Sequence, residues 1–345
     1  MNALKNYYRK ERHIARLLIM IVAWLAFMAI TRFDKFYTLI NFQTMAGQFP
    51  EFGLMALGAM VCMITGGIDL STVGIANVTS ILMALFMKSQ MDESGNIAAW
   101  VIPFAFLLAL LIGCAAGCFN GVLISKVKIP PILATLGVNQ LLTGISMVVT
   151  GGNAVSKIPG AYSAAINTKI LKVVPGKRGM MMGLIPVQLI FFVIAALVVW
   201  FLLERTTYGK KLYLLGTSEN VARFSGVKVN NMLIKTYALS GILAAMGGMI
   251  MLANYSSARA DYGSVYTLQC ILIVVLGGVS PTGGRGKISG VLLAIVLLRL
   301  LETGINRFPQ ISSYYITLIW GAVLLLVMVL NYFVDHPIVR KKKTA

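Results

Sequence analysis

An aspartate in apolar surroundings is the residue most able to do chemistry in this chain. Asp69 lies in the segment TGGIDLS (65–71), between two long apolar runs. A carboxylate at membrane depth costs roughly 2.5–3.5 kcal/mol on insertion-type scales and persists where it faces protein or water. Gly66 and Gly67 allow a helix to stop, and Asp69 or Ser71 can cap its restart. Two roles are open to Asp69, and they are not exclusive. It can be a polar point on a permeation route, or it can accept the orphan N–H groups where the helix resumes.

Uncharged polar residues punctuate the other apolar runs: Asn77, Thr79, Ser80, Asn120, Thr135, Asn139, Gln140, Thr143 and Gln269. Amides and hydroxyls both donate and accept, which suits a neutral polyhydroxylated solute better than an ion. Such residues also bridge helices in any membrane bundle. The pathway candidates are Asp69, Ser71, Asn77, Asn120, Asn139 and Gln140. Asp69 is the only titratable group read at mid-membrane. Arg299 and Glu302, three apart near the outer end of the ninth span, can pair on one helix face.

Sequence patterns for an enzyme are missing. There is no H-E-x-x-H, no G-x-S-x-G and no carboxylate pair in a plausible pocket. The stretch GGRGKIS (283–289) resembles a phosphate-binding loop. However, Pro281 stands where its first glycine belongs, and no Ser or Thr directly follows Lys287. ATP hydrolysis, if it drives this protein, belongs to another chain, and no cofactor is expected here. Cys62, Cys114, Cys118 and Cys270 all lie inside apolar runs, and His13 and His336 lie at opposite ends. A metal site or a disulfide framework is therefore not expected.

The elements that must hold these residues are membrane helices. The chain has 345 residues, 58% of them hydrophobic and 12% charged, with a mean hydropathy of +0.83. Soluble domains sit nearer ~45–50% apolar and ~25% charged. Apolar stretches about twenty residues long match the roughly 30 Å of a bilayer core as helices, and lipid leaves backbone groups no other partner. The reading is an all-α integral membrane protein, one domain over 1–345, with about ten spans. They fall near 14–31, 51–65, 70–88, 98–125, 132–150, 184–203, 233–254, 265–280, 287–304 and 313–334. The net charge of +19 reads as loop charge on the cytoplasmic side rather than a nucleic-acid surface.

Charge sets the expected orientation. The arm 1–13, the loop at Lys126 and Lys128, the segment 204–232, Arg285 and Lys287, and the tail 335–345 all carry Lys and Arg. An even span count puts them all in the cytoplasm, with both termini, in a bacterial inner membrane. The first apolar run has no small-residue cleavage site after it, so it reads as a retained span. The loop 151–183 falls outside, yet it holds Lys157, Lys169, Lys172, Lys177 and Arg178.

Two patterns concern packing. Gly113, Gly117 and Gly121 recur every four residues and allow two helices to approach closely. Segments 60–85 and 272–298 echo each other: apolar run, Gly-Gly pair, polar turn, apolar run. Internal duplication with glycine-interrupted helices is a common transporter build. The span count makes the copies parallel; a miscount of one span would invert them. Segment 204–232 reads as a polar cytoplasmic element with a short helix. Thr217 or Ser218 is its N-cap, Glu219 and Arg223 are on it, Gly226 is its stop, and Val221 and Phe224 share a face. Such a helix docks on a soluble partner or lies on lipid head groups.

Five segments together resemble the permease subunits of ribose/galactose-type sugar ABC importers. They are GGIDLS (66–71), FNGVLISKVKIPPILATLG (119–137), RTTYGKKLYLLGTSENVARFSGVKV (205–229), ALSGILAAMGG (238–248) and VLGGVSPTGGRGKISGVLLA (275–294). The resemblance covers about 50–335. It implies a ten-helix permease paired with a second permease subunit, driven by ABC ATPase subunits and served by an extracytoplasmic solute-binding protein. It also implies that Glu219, Ala222, Arg223 and Gly226 contact the ATPase. The chain departs from the family at Thr72, inserted before Val73-Gly74, at Tyr266-Thr267-Leu268, and at Arg299 and Glu302. A polyol, nucleoside or sugar-like signal joins pentoses and hexoses as a candidate solute. The alternative reading is an ion-coupled secondary transporter of a small polar solute.

Overall fold

The computed structural model describes residues 12–175 and 181–310, with isolated helical positions between 315 and 329. Lys177 and Arg178, most of the expected arm 1–13, the body of the last expected span 313–334 and the tail 335–345 lie outside the described residues. The side chain of Lys172 does too.

The helices are α1 (Arg12–Thr31), α2 (Phe33–Phe36), α3 (Leu39–Ile64), α4 (Thr72–Ser89), α5 (Val101–Ser125), α6 (Pro131–Thr150) and α7 (Gly160–Asn167). After two strands, β1 (Lys169–Pro175) and β2 (Met181–Pro186), come α8 (Val187–Trp200) and a wide turn, Phe201–Arg205. Among the described residues there follow α9 (Thr207–Thr217), α10 (Glu219–Phe224), α11 (Val229–Tyr255), α12 (Tyr266–Leu276) and α13 (Ile288–Ile305). Among the described residues, eight helices are long and apolar enough to cross a membrane, and α12 is a shorter apolar helix. This is an all-α membrane protein.

Two departures from the sequence reading have plain causes. The second span was expected at 51–65, but α3 begins at Leu39. Polar residues in its first half break the apolar run, yet Asn41 and Gln43 are turned inward and buried. Thr38 caps this helix by accepting from the Asn41 N–H at 3.2 Å, and Pro50 is carried inside it. The second departure is the antiparallel pair β1–β2 in the loop expected at 151–183. A two-stranded ribbon has too few alternating residues to stand out from a loop in sequence.

Burial sorts the spans. The apolar windows of α3 and α11 are 83% and 78% buried, against 11% for α1 and 22% for α6. α3 and α11 therefore form the centre, with α4, α5, α8, α12 and α13 around them. The glycine stripe sets the closest approach. A Cβ on Gly117 would sit 2.1 Å from the Tyr237 carbonyl, and one on Gly113 would sit 2.5 Å from the Gly241 carbonyl. α5 thus lies backbone to backbone on α11, as small residues permit in lipid.

The two echoing segments turn at the same end of the molecule. The Gly284 N–H donates to the Ile64 carbonyl at 2.9 Å, and Gly283 lies against the Gly66 backbone. The copies therefore run in the same direction. Lys126, Lys128 and the segment 204–228 belong to this end too, here called the basic end.

Gly117→Ala is expected to lower the unfolding midpoint in detergent by several degrees, although alanine favours helix by about 1 kcal/mol. Gly137→Ala, where an added Cβ meets nothing within 4 Å, should leave it unchanged or raise it. Thermal unfolding of the two variants checks the close packing of α5 on α11.

Candidate functional site

The break between α3 and α4 is a knot of hydrogen bonds around Asp69. α3 ends as Gly66, at φ +81°, turns the chain, with the Gly67 N–H reaching back to the Cys62 carbonyl at 3.3 Å. Asp69 is 2% exposed. Its Oδ1 accepts from the Ser71 N–H at 2.9 Å and the Ser71 hydroxyl at 2.6 Å. Its Oδ2 accepts from the Ser240 hydroxyl of α11 at 2.7 Å, with the Cys62 thiol at 3.9 Å. Asn120 of α5 donates to the Ser71 Oγ at 2.7 Å. The next turn is held from α6: Thr135 Oγ1 accepts from the Leu70 N–H at 3.1 Å, and Asn139 Oδ1 from the Gly74 N–H at 2.9 Å.

The structure thus joins Asp69, Ser71 and Asn120 directly and puts Asn139 one turn away. It sends Asn77 and Gln140 elsewhere. The Asn77 amide donates to the Ala260 and Tyr262 carbonyls at 2.8 and 2.9 Å, tying α4 to the loop at the opposite end. Gln140 is exposed on the outer face of α6. Thr72, the residue inserted relative to the resembled pattern, is buried as the first residue of α4.

A second buried carboxylate corrects the expectation that Asp69 is the only mid-membrane titratable group. Glu51 sits halfway along α3 and is 3% exposed. Tyr266 donates to its Oε1 at 2.5 Å and Tyr255 at 3.2 Å, and the Asn254 amide donates to its Oε2 at 2.8 Å. Nearby, Arg299 pairs with Glu302 at 2.9 Å, as their spacing predicted, and also donates to Gln48. Sequence reasoning missed Glu51 because it stood at the edge of the expected span. The available signal was the continuous helix-compatible run from Leu39, which makes the residue after Pro50 an interior one.

At the basic end the polar segment is built against both glycine turns. Gly216, near the end of α9, leaves so little room that a Cβ there would meet the Ile64 carbonyl at 1.9 Å and the Gly284 nitrogen at 2.4 Å. The Tyr213 hydroxyl donates to the Gly286 carbonyl at 2.8 Å. The expected short helix is α10. Ser218 caps it by accepting from the Val221 N–H at 3.4 Å, and Gly226, at φ +76°, follows its end. Ala222 is fully buried, while Val221 and Phe224 are exposed, Phe224 at 92%.

Arg223 donates to Glu219 at 2.6 Å, and Lys128 lies 3.6 Å from the same carboxylate. The Arg223 hydrogen bonds and the Lys128 charge hold the Glu219 carboxyl below its ordinary 4.5. Any stability it lends is therefore present above pH 4.5 and lost only as pH falls through that lower value. Between α10 and the break runs a crevice of about 290 Å³, lined by Gly66, Gly67, Lys128, Pro131, Glu219 and Tyr237. Chemically these groups can position a hinge and bind polar neutral groups. Among the described residues, no cluster of His, Cys, Asp and Glu could hold a metal ion.

Comparison with known proteins agrees with this architecture. Residues 41–330 match the family described as the branched-chain amino acid transport system permease component. The chain is 34% identical to the ribose import permease protein RbsC of Bacillus subtilis over 292 residues, covering 85% of this chain and 84% of that one. It is 32% identical to RbsC of Escherichia coli (strain K12) over 328 residues, 95% of each chain. It is also 30% identical over 328 residues to the autoinducer 2 import system permease protein LsrD of Escherichia coli O9:H4, covering 93% of this chain and 92% of that one. No solved structure matches the chain.

Asp69→Leu would leave the Ser71 N–H and the Ser71 and Ser240 hydroxyls without their acceptor, at about 1–3 kcal/mol for each buried donor. It is expected to lose most folded protein. Gln140→Leu, on an exposed face, should keep it. Monodispersity after detergent extraction compares the two.

Proposed function

The chain belongs to the branched-chain amino acid transport permease-component family, in company with ribose and autoinducer 2 import permeases, and from that premise we propose how it works. It is the membrane-spanning permease subunit of an ABC importer for a sugar or sugar-like solute. It has no ATPase site of its own and takes its energy from a separate ATP-hydrolysing subunit. The observation that carries this reading is the seating of Gly216 between the Ile64 carbonyl and Gly284. A push on α10 and α9 reaches the glycine turns of both repeats at once, and so reaches α3, α4 and α13.

In this reading the basic end is cytoplasmic, both termini lie there, and segment 204–232 is the coupling segment. Lys and Arg enrichment on cytoplasmic loops supports that orientation. Glu219, Ala222, Arg223 and Gly226 shape α10, and its exposed Val221 and Phe224 meet the ATPase. The node of Asp69, Ser71 and Asn120 holds the inner turn beside the solute route. Asn139 and Gln140 on α6 supply neutral polar groups toward a route shared with a second permease subunit. A solute-binding protein delivers to the opposite end. There Lys157 and Lys169 attract its acidic rim and speed encounter, and the loop that carries them also holds Lys172, Lys177 and Arg178 in its sequence.

One observation favours a second reading, an ion-coupled transporter: Glu51 supplies a second buried carboxylate within the membrane. Solute uptake into vesicles separates the two. Uptake should require the ATPase subunit and ATP, and should survive collapse of ion gradients with ATP held constant. Equal uptake without the ATPase rejects the importer.

Glu219→Lys and Gly226→Asp are expected to assemble with the ATPase yet hydrolyse ATP without uptake; normal uptake in both contradicts the coupling role. Replacing Lys157 and Lys169 with Gln should slow binding-protein association, most strongly at low salt, measured as an on-rate by surface immobilisation.

A further inference from the structure

One face of α11 links two cavities of opposite character. At the basic end a pocket of about 360 Å³ lies between α9 and α11, lined by Tyr208, Lys211, Lys228, Asn231 and Lys235 among others. Lys228, Asn231 and Lys235 recur at helical spacing along one stripe of α11. Lys211, Lys228 and Lys235 are exposed, and no acid among the described residues pairs with any of them. The amino terminus of α11, whose N-cap Lys228 makes no side-chain cap bond, opens into the same pocket and favours an anion.

The stripe continues through Leu239, Ile242 and Met246, all half-buried. Met246 lines the second cavity with Phe106 and Leu110 of α5, Phe191 of α8, and Met249 and Ile250. All of these are apolar. Met246 lies eleven residues beyond Lys235, about 16 Å along the helix, close to half of a ~30 Å hydrocarbon core. The cationic pocket and the apolar cavity therefore lie on one face of α11, about one leaflet apart.

We propose that this face of α11 binds an anionic phospholipid. Its phosphate sits among Lys211, Lys228 and Lys235 at the helix amino terminus. An acyl chain lies along Leu239, Ile242 and Met246 toward Phe106 and Phe191. A soluble anion would use the pocket but not the apolar cavity. An acidic protein partner, approaching from the aqueous end, would not reach Met246.

The test uses the full chain purified in detergent, with lipid retention read by native mass spectrometry and by thermal shift. Phosphatidylglycerol should bind and raise the unfolding midpoint, and phosphatidylcholine of the same chain length should not. The triple variant Lys211→Gln, Lys228→Gln, Lys235→Gln should bind phosphatidylglycerol about a hundredfold more weakly, as expected for three interfacial lysines. Should that variant fold poorly, the single variant Lys235→Gln and Ile242→Trp, placed between the pocket and the cavity, must each weaken phosphatidylglycerol binding on their own. Undiminished phosphatidylglycerol binding in the lysine variants, or an equal shift from phosphatidylcholine, overturns the proposal. So does an equal shift from inorganic phosphate alone, which would make this a free-anion pocket.

Discussion

The constraint on which this structure depends is that a helix broken inside a membrane must find protein partners for every group it frees. Water is not there to take them, and each unmet group costs several kcal/mol. At residues 65–71 the chain breaks with Gly67, Asp69 and Ser71 buried. The solution is a single carboxylate. Asp69 collects donors from its own turn and from α11, while α5 and α6 complete the ring through Asn120, Thr135 and Asn139. Asp69 itself ties its turn to α11, and the bonds around it bring in α5 and α6. Asp69 is thus costly alone and stabilising in place, because buried donors that would otherwise go unmet end on its two oxygens.

Close backbone contact does at the basic end what hydrogen bonding does at the break. Gly216, Gly66, Gly283 and Gly284 let three segments from different parts of the chain touch without side chains between them. A packed contact of this kind has no slack, since interiors transmit strain rather than absorb it. That stiffness is what the proposed coupling through α10 would use. Its own fold is local: a serine cap, one Glu–Arg pair at helical spacing and a glycine stop.

The far half of the bundle is organised by a separate polar cluster. Glu51, Tyr255, Tyr266 and Asn254 form one group, and Arg299, Glu302 and Gln48 form its neighbour. Together they bind α3 to α11, α12 and α13, the spans that also meet at the glycine turns below. The central helices are therefore pinned at two levels, and the apolar stretch between them is left to packing alone.

The amino-acid order alone determined that this chain is a helical membrane protein. A twenty-residue apolar run has no other way to satisfy its backbone in lipid, and Lys and Arg in the loops marked one end. It also determined α10, whose cap, ion pair and stop are all within a few residues of each other, and the Arg299–Glu302 pair, three residues apart. Only the tertiary structure decided what the polar residues do. Asn77 and Asn120 look alike in sequence, yet one ties α4 to a loop and the other serves the Asp69 node, because their partners are 183 and 49 residues away. Glu51 stood unnoticed for the same reason. Its donors come from Asn254, Tyr255 and Tyr266, more than 200 residues distant, and no local pattern records a bond that folding alone brings within reach.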